Sequence, residues 1–275
     1  MANENQLPLL PLSIGILAWK SGATLIRTLE SYRRNGLFNL TSDIYVLFQD
    51  ASPEDHEIAK RFNVKGIFLP NNIGLGQGFA YLAENARSKY LLMLEHDWKL
   101  IENAHTTYAR LEEGINLLRQ GFDCVRYRHR KRFGYPHMAV QHFRKKDPDY
   151  FDDWILLPGP HVLEAVHWRK YPEKEWPDKI QKENNYFVTT SRYGCFTNNP
   201  CMYRKDFYIK NVTPYAGEGY SNEQNISYWW ARQNFKIAQG EGLFQHDDRA
   251  KYGHPLQLAI KHWISNVNPI HRNKW

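Results

Sequence analysis

The sequence predicts an α/β protein with a mostly parallel central sheet flanked by helices. Two observations lead to this prediction. First, short apolar runs alternate with helical patterns through residues 12–100, and such alternation predicts parallel strands joined by crossover helices. Second, polar residues follow directly after several of these runs, where the carboxyl ends of parallel strands meet and ligands bind.

The elements of the first half follow from hydrophobic periodicity and turn residues. Apolar runs predict strands over 12–19, 43–49, 64–69 and 90–94. Helical spacing predicts helices over 24–35 and 54–62, and a third that follows the glycine-rich string NNIGLGQGF and ends near Ser88. The strand ends then place one set of residues along a common rim: Trp19, Asp50, Asn72, and Glu95 with Asp97.

The second half contains fewer periodic segments. A helix is predicted over 106–119, an irregular insertion over 147–185, and an amphipathic helix over 256–264. The alternating string CVRYRHRKRF at 124–133 predicts a strand with arginines on one face. With residues 144–146, that face either holds an acidic acceptor, a diphosphate or a lipid head group, or is simply solvated. No repeat or linker divides the chain, so a single domain over 1–275 is expected, with halves over about 12–100 and 101–275.

Composition limits the functional classes. The net charge of +7 fits either simple solubility or an anionic ligand. The chain lacks the clustered basic and aromatic signature of a nucleic-acid module, so we expect no nucleic-acid partner. The aromatic share of 15% fits a tightly packed core as well as stacking on bases and sugar rings.

Cysteine usage and hydropathy bear on location. Three cysteines form no disulfide framework or metal-ligand spacing, which favours a reducing, cytoplasmic setting. No segment approaches the ~20 apolar residues of a membrane span, so no transmembrane segment is expected, and peripheral membrane contact stays open.

The string LLMLEHDW is the central motif of the chain. Its apolar strand ends in Glu95 and Asp97, and residues at positions i and i+2 share one side of an extended chain. Two carboxylates at a strand tip can converge on a hard divalent cation and a ribose, or can serve as a cap or turn. The preceding glycine-rich string allows close backbone approach or forms a bare turn, and its spacing does not match a dinucleotide fingerprint.

Through its first ~100 residues the chain resembles family 2 glycosyltransferases and related GT-A enzymes. The resemblance runs in order through LSIGILAW, LFQDASPED, NNIGLGQGFAYLAENA and YLLMLEHDW. It implies a GT-A fold with a mixed, mostly parallel sheet, and the D-x-D of the family corresponds to Glu95-His96-Asp97. The first aspartate is therefore replaced by a glutamate, which is one methylene longer.

The resemblance also implies roles for individual residues. Asp50 would bind the nucleobase, with Trp19 stacking on it or lining its pocket. Asp97 would bind Mn²⁺ or Mg²⁺ directly, and Glu95 would contact the ribose or reach the metal through water. The implied donor-binding set is Trp19, Asp50, Asn72, Gly74, Gln77, Glu95 and Asp97, and the implied metal set is Asp97, His246 and Glu95.

A partial match extends the resemblance into the second half. The segment 219–227 aligns with the acidic pair that supplies the catalytic base, with Glu223 as the base, Asn222 in place of the first acid, and Glu218 as the competing candidate. His246 lies where a metal-binding histidine is common, and the alternative is an ordinary surface histidine. The implied reaction moves a sugar from a nucleotide-diphosphate sugar to a hydroxyl of a glycan or glycoconjugate, with inversion.

Two other functional classes compete with this interpretation. A sugar-nucleotide nucleotidyltransferase shares the layered sheet, but its glycine-rich loop after the first strand is replaced here by AWKSGATL. A catalytically inactive glycan-binding module on the same fold would account for Glu95 and Asn222 standing in place of aspartates.

Overall fold

The computed structural model describes residues 7–134, 159, 161–217 and 222–247, and these form one mixed sheet with helices on both faces. The strands are β1 Leu12–Trp19, β2 Asp43–Gln49, β3 Lys65–Phe68, β4 Tyr90–Glu95, β5 Trp98–Leu100, β6 Cys124–Arg128, β7 Gln181–Glu183, β8 Tyr186–Thr190, β9 Cys201–Arg204 and β10 Lys236–His246. The α-helices are α1 Gly22–Arg34, α2 Pro53–Phe62, α3 Leu75–Asn85, α4 Ala104–Arg119, α5 Pro172–Glu175, α6 Lys205–Phe207 and α7 Asn222–Trp230.

The first four strands are parallel to one another, so their carboxyl ends lie on the same side of the sheet. The strand order is β3-β2-β1-β4-β9-β6-β10-β8-β7, with β5 paired to β10. Strands β1 to β4 pair in parallel, and β9 lies antiparallel between β4 and β6. The carboxyl ends of β1 to β4 therefore lie along one rim, as the sequence predicts.

Apolar side chains cover both faces of the sheet because successive residues of a strand point to opposite sides. One core packs the sheet against α1 and α4, and includes Leu12, Ile14, Leu29, Leu111 and Phe244. The other packs it against α3 and α7, and includes Leu17, Phe79, Leu91, Cys201 and Trp230. Burial on both faces fixes the strand tips that form the rim.

Most predicted elements of the first half are present. Strands β1 and β2 have the predicted bounds, β3 is shorter by one residue at each end, and β4 extends one residue further, to Glu95. Helix α3 ends at Asn85, three residues before the predicted end. The described part of the 147–185 region consists of short elements, and residues 256–264 lie outside the described residues.

The arginine-rich strand differs from its prediction. Strand β6 ends at Arg128 because the chain then turns, with His129 Nδ1 accepting hydrogen bonds from the backbone N–H groups of Lys131 and Arg132. Arg126 is buried, and its Nη1 lies 2.9 Å from Glu164 Oε1. A solvated face is therefore wrong for Arg126 and Arg128, because the fold buries both side chains. Residues 144–146 lie outside the described residues.

Strand β10 contains an irregularity that sets where its end lies. Gln239 pairs with Arg126, but Phe244 pairs with Arg128, so β10 has extra residues opposite β6. Gly242 in this bulge has φ of +78°, and a Cβ there would overlap the Arg128 carbonyl. The left-handed backbone and the close approach both require glycine. The bulge thus determines which residue of β10 reaches Trp98 of β5, and that residue is His246.

Across the described ranges, no helix has both the length and the apolar character needed to span a bilayer.

We predict that Gly242→Ala destabilises the protein far more than Gly121→Ala. Both glycines have positive φ, but a Cβ at Gly121 meets nothing within 4 Å. The left-handed backbone costs each alanine about 1–2 kcal/mol, and overlap with a backbone carbonyl adds about 1–3 kcal/mol at Gly242 alone. Urea unfolding followed by circular dichroism measures both. Equal losses of unfolding free energy would contradict the assigned bulge.

Candidate metal and donor site

The tip of β4 leads into a tight turn that carries the central motif. Glu95 is the last residue of β4, His96 and Asp97 form the turn, and Trp98 begins β5. Strand β5 pairs antiparallel with the end of β10, with His246 opposite Trp98. The Trp98 and His246 rings lie 4.8 Å apart. This pairing brings the end of β10 to the turn after β4.

The side chains of Asp97 and His246 contact each other directly. Asp97 Oδ2 lies 3.0 Å from His246 Nε2, although the residues are 149 positions apart in the chain. Both side chains are about one-fifth exposed, at 19% and 22%. Asp97 Oδ1 is buried and has no hydrogen-bond partner among the described residues. A carboxylate oxygen with no partner beside an imidazole fits a divalent cation, which takes oxygen and nitrogen ligands of this kind.

The electrostatics of the turn favour the ligand forms of these groups. Burial raises the pKa of Asp97, but the hydrogen bond and charge of His246, together with the charge of His96, outweigh it and lower that pKa overall. Burial lowers the pKa of His96. The site therefore holds an ionised carboxylate at neutral pH, which is the form that binds a cation.

Glu95 does not complete a three-residue metal cluster. No three His, Cys, Asp or Glu side chains within the described ranges form a group that could hold a metal ion. Asp97, His246 and Glu95 therefore form no preassembled three-ligand cluster, and their joint assignment to the metal stays a prediction. Contact of Glu95 with a ribose, or with a metal through water, stays a prediction.

A buried charge cluster behind this pair was missed by sequence reasoning. The Asp247 side chain is 1% exposed, and its Oδ2 accepts a hydrogen bond from Arg27 Nε at 2.9 Å. Lys99 Nζ lies 3.4 Å from Asp247 Oδ1. The available signals were only an arginine in α1 and a lysine two residues after Asp97. Neither identifies a partner more than 100 residues away.

The predicted nucleobase residues lie at the ends of β1 and β2. Asp50 follows β2 with φ of +50°, and its carboxylate lies 2.5 Å from Lys20 Nζ. Hydrogen bonds from the Lys20 and Trp19 side chains lower the pKa of Asp50. Trp19 is 38% exposed. An aromatic ring and a carboxylate thus lie together at one exposed position, and their role in donor binding stays a prediction.

The glycine-rich loop is held by side-chain contacts to its backbone. Gln49 Oε1 accepts from Ile73 N–H at 2.9 Å, and Asn72 Oδ1 accepts from Gly74 N–H at 2.8 Å. Gly74 has φ of +85°, a conformation that favours glycine. Gln77 Nε2 donates to the carbonyl of Ala216 at 3.2 Å. Asn72 and Gln77 therefore fix the loop and helix α3, while their predicted donor contacts stay predictions.

The predicted base motif reaches the same rim from the second half. Strand β9 runs antiparallel to β4, with Met93 opposite Cys201, so residues 197–199 lie beyond the tip of β4. Glu223 Oε1 accepts from Thr197 Oγ1 at 3.0 Å and from Asn198 N–H at 2.7 Å. The first turn of α7 is thereby anchored beside the tip of β4. Glu218 lies outside the described residues.

Helix α3 and the start of α7 pack closely. A Cβ at Gly76 would lie 2.7 Å from Asn222 Oδ1 and 2.9 Å from the carbonyl oxygen of Gly217. Asn222 is buried, and its Nδ2 donates to Asn198 Oδ1 at 3.0 Å. The glycine-rich loop, the tip of β4 and the base motif therefore lie at one edge of the sheet.

Comparison with solved structures identifies the fold. S. aureus TarS, residues 1–349, superposes with a TM-score of 0.52 at 12% identity, over 87% of this chain and 61% of that one. GalNAc-T7 with UDP, GalNAc and Mn²⁺ superposes with a TM-score of 0.52 at 15% identity, over 86% of this chain and 43% of that one. Both are GT-A glycosyltransferases. The chain has the GT-A fold.

The similarity lies in the fold rather than in the sequence. A mycobacterial protein matches with a TM-score of 0.50 at 14% identity, over 86% of this chain and 66% of that one. No protein-family model and no curated protein sequence matches the chain. The chain spans 61% of the TarS structure's length. In this GT-A fold the predicted donor, metal and base residues converge on the carboxyl edge of the parallel strands, where such sheets bind ligands.

We predict that Asp97→Asn and His246→Ala each weaken Mn²⁺ binding more than about 100-fold, because losing a direct ligand exceeds the about 10–100-fold effect of an outer-shell change. Electron paramagnetic resonance titration of free Mn²⁺, with a nucleoside diphosphate present, measures the affinity. The exposed residues Asp178 and His105 provide matched controls as Asp178→Asn and His105→Ala. Unchanged affinity in both site variants would show that the pair is not the metal site.

Proposed function

We propose that the protein is a metal-dependent, inverting glycosyltransferase. It moves a sugar from a nucleotide-diphosphate sugar to a hydroxyl of a glycan or glycoconjugate acceptor. The observation that carries this proposal is the 3.0 Å contact between Asp97 and His246 at the edge where the GT-A sheet binds ligands. The contact joins two distant motifs into a carboxylate–imidazole pair with a buried, unpartnered oxygen.

Different rim residues are proposed to contact different parts of the sugar donor. Trp19 and Asp50 are suited to the nucleobase through stacking and hydrogen bonding, and Glu95 to the ribose. Asp97 and His246 would hold Mn²⁺ or Mg²⁺, and the ion would supply positive charge for the diphosphate of the donor. The presence of UDP and Mn²⁺ in the structure of GalNAc-T7 supports a nucleotide–metal pair at this edge.

Charge stabilisation and proton transfer account for the chemistry. A cation held by Asp97 and His246 would supply positive charge against the negative charge that develops on the departing nucleoside diphosphate. Glu223 removes the proton from the acceptor hydroxyl as that oxygen attacks the anomeric carbon from the face opposite the leaving group. One displacement of this kind inverts the anomeric configuration.

The contacts of Glu223 support a fixed orientation for this base. The hydrogen bonds from Thr197 and Asn198 both fall on Oε1. A carboxylate held by one oxygen keeps its second oxygen in a defined direction, which a general base requires. We assign the base to Glu223 on this ground, and Glu218 is the alternative that the variant test below distinguishes.

The state of the cysteines and the net charge of the chain relate to the cellular environment of the protein. The three cysteines are buried free thiols, which supports a reducing, cytoplasmic environment. The net charge of +7 is compatible with peripheral contact of the enzyme with an anionic membrane surface that presents a lipid-linked acceptor.

The direct test is nucleotide release from a panel of UDP-, GDP- and dTDP-sugars, with and without Mn²⁺. We expect release with one donor class, at least about tenfold faster with Mn²⁺ than with a chelator, because the cation stabilises the leaving group. The Asp97→Asn variant with the same donor is the matched control. Release at equal rates with the metal chelated would overturn metal dependence.

We predict that Glu223→Gln lowers transfer by about 10²–10⁴-fold, the usual contribution of a general base. Glutamine keeps the Oε1 acceptor for Thr197 and Asn198, so the fold and donor affinity should be preserved. Product formation by mass spectrometry and donor binding by calorimetry measure the two effects. Glu183→Gln, an exposed residue of β7, is the control. Retained transfer by Glu223→Gln would move the base role to Glu218.

A glycan-binding module without turnover is the second candidate. The observation in its favour is that Asn222 stands where the first acid of the pair is expected and is fully buried against Asn198. In that case Glu223 would only anchor the loop at Thr197. Glycan binding without turnover of any donor in the panel would establish this alternative.

A further inference from the structure

The buried carboxylate of Asp247 lies directly behind the candidate metal pair. Asp247 follows His246 in the chain, and its backbone N–H donates to the carbonyl of Asp97 at 2.7 Å. It is therefore bonded covalently to one predicted ligand and hydrogen-bonded to the backbone of the other. Successive residues of an extended chain point to opposite sides, so its side chain points away from that of His246.

The partners of Asp247 come from the elements that support the pair. Arg27 belongs to α1, and its Nε lies 2.9 Å from Asp247 Oδ2. Lys99 belongs to β5, two residues after Asp97, and its Nζ lies 3.4 Å from Oδ1. The two carboxylate oxygens thus bind cationic side chains from two different elements. Because both oxygens already contact cationic side chains, Asp247 is unsuited to bind a metal directly, but it can hold the end of β10 in place.

Other contacts tie α1 to the same strand. Tyr32 O–H donates to the carbonyl of Trp98 at 2.7 Å, and Asn35 Nδ2 donates to the carbonyl of Leu100 at 2.8 Å. Ser31 Oγ accepts from Leu100 N–H at 3.0 Å. Helix α1 therefore holds β5 along its length, and the Arg27–Asp247 pair extends that support to the end of β10.

We propose that Asp247 is a positioning residue that holds Asp97 and His246 at metal-binding distance through its bonds to Arg27 and Lys99. The inference rests on the proposed function. Without the negative charge at Asp247, Arg27 and Lys99 lose their shared anion, and the end of β10 is no longer held by charge to α1 and β5. Loss of this support is expected to lower the metal affinity, because outer-shell contacts orient the direct ligands.

The test is Asp247→Asn, which keeps the size of the side chain and removes its charge. We expect Mn²⁺ affinity, measured by electron paramagnetic resonance with a nucleoside diphosphate present, to fall by about 10–100-fold. In turnover, the Mn²⁺ concentration for half-maximal rate should rise while the rate at saturating Mn²⁺ changes little. A purely structural role would lower Tm without this separation.

Asp43→Asn is the matched control. Asp43 is also a buried carboxylate, and it accepts hydrogen bonds from Ser13 Oγ at 2.5 Å and from Arg87 N–H at 2.9 Å. It begins β2, however, at the opposite end of the parallel strands from the candidate site. We expect it to lower Tm and leave Mn²⁺ affinity unchanged. Lys99→Gln and Arg27→Gln, which remove one partner at a time, keep the proposal testable if Asp247→Asn does not fold.

The outcomes separate the two proposals. Failure of the unaltered protein to bind Mn²⁺ with any nucleoside diphosphate would overturn the proposed function. Mn²⁺ binding by the unaltered protein, with equal affinity in folded Asp247→Asn, Lys99→Gln and Arg27→Gln, would overturn the positioning role alone. An equal loss of affinity in Asp43→Asn would also overturn it, by showing a general effect of buried charge removal.

Discussion

The contact between Asp97 and His246 is the interaction on which the candidate site depends. It joins the turn after β4 to the end of β10, and thereby the two halves of the chain. The parallel half contributes the carboxylate and the residues proposed to bind the nucleobase, and the second half contributes the imidazole and Glu223. Apolar cores on both faces of the sheet fix the strand tips that carry these side chains.

Rigid support surrounds this contact on the side away from the rim. Trp98 packs at 2% exposure beneath His246, and Arg128 lies over the Trp98 ring at 5.4 Å. The side chain of Asp247 is as deeply buried, and breaking such a charge pair is strongly unfavourable because it leaves an uncompensated charge in the interior. Polar groups on this inner side thus restrict the arrangement of the ligands, while the rim stays open to solvent.

The sequence predicted elements whose signals are local. Strands β1 and β2 were identified with the right bounds because each is an uninterrupted apolar run that ends at a polar residue. The pairing of Asp97 with His246 was predicted from a family resemblance, since no local pattern connects residues 149 positions apart. The GT-A fold was predicted in the same way and is confirmed by the solved structures.

Features that depend on distant partners were not predictable. The burial of Arg126 depends on Glu164, in a segment with no regular periodicity. Strand β4 extends one residue beyond its predicted end, to Glu95, and strand ends are the least certain part of such predictions. The role of Asp247 has no local signal, because its charge is explained by Arg27 and Lys99 on other elements.

If Asp97 and His246 hold the metal as proposed, their long separation in the chain couples ion binding to maturation of the polypeptide. A ribosome-bound chain that has emerged only through β4 would carry Asp97 without its imidazole partner. Both side chains are in place only when β10 has entered the sheet between β6 and β8. A cation and a nucleotide bound there would therefore stabilise the completed sheet selectively over forms in which β10 is not yet paired.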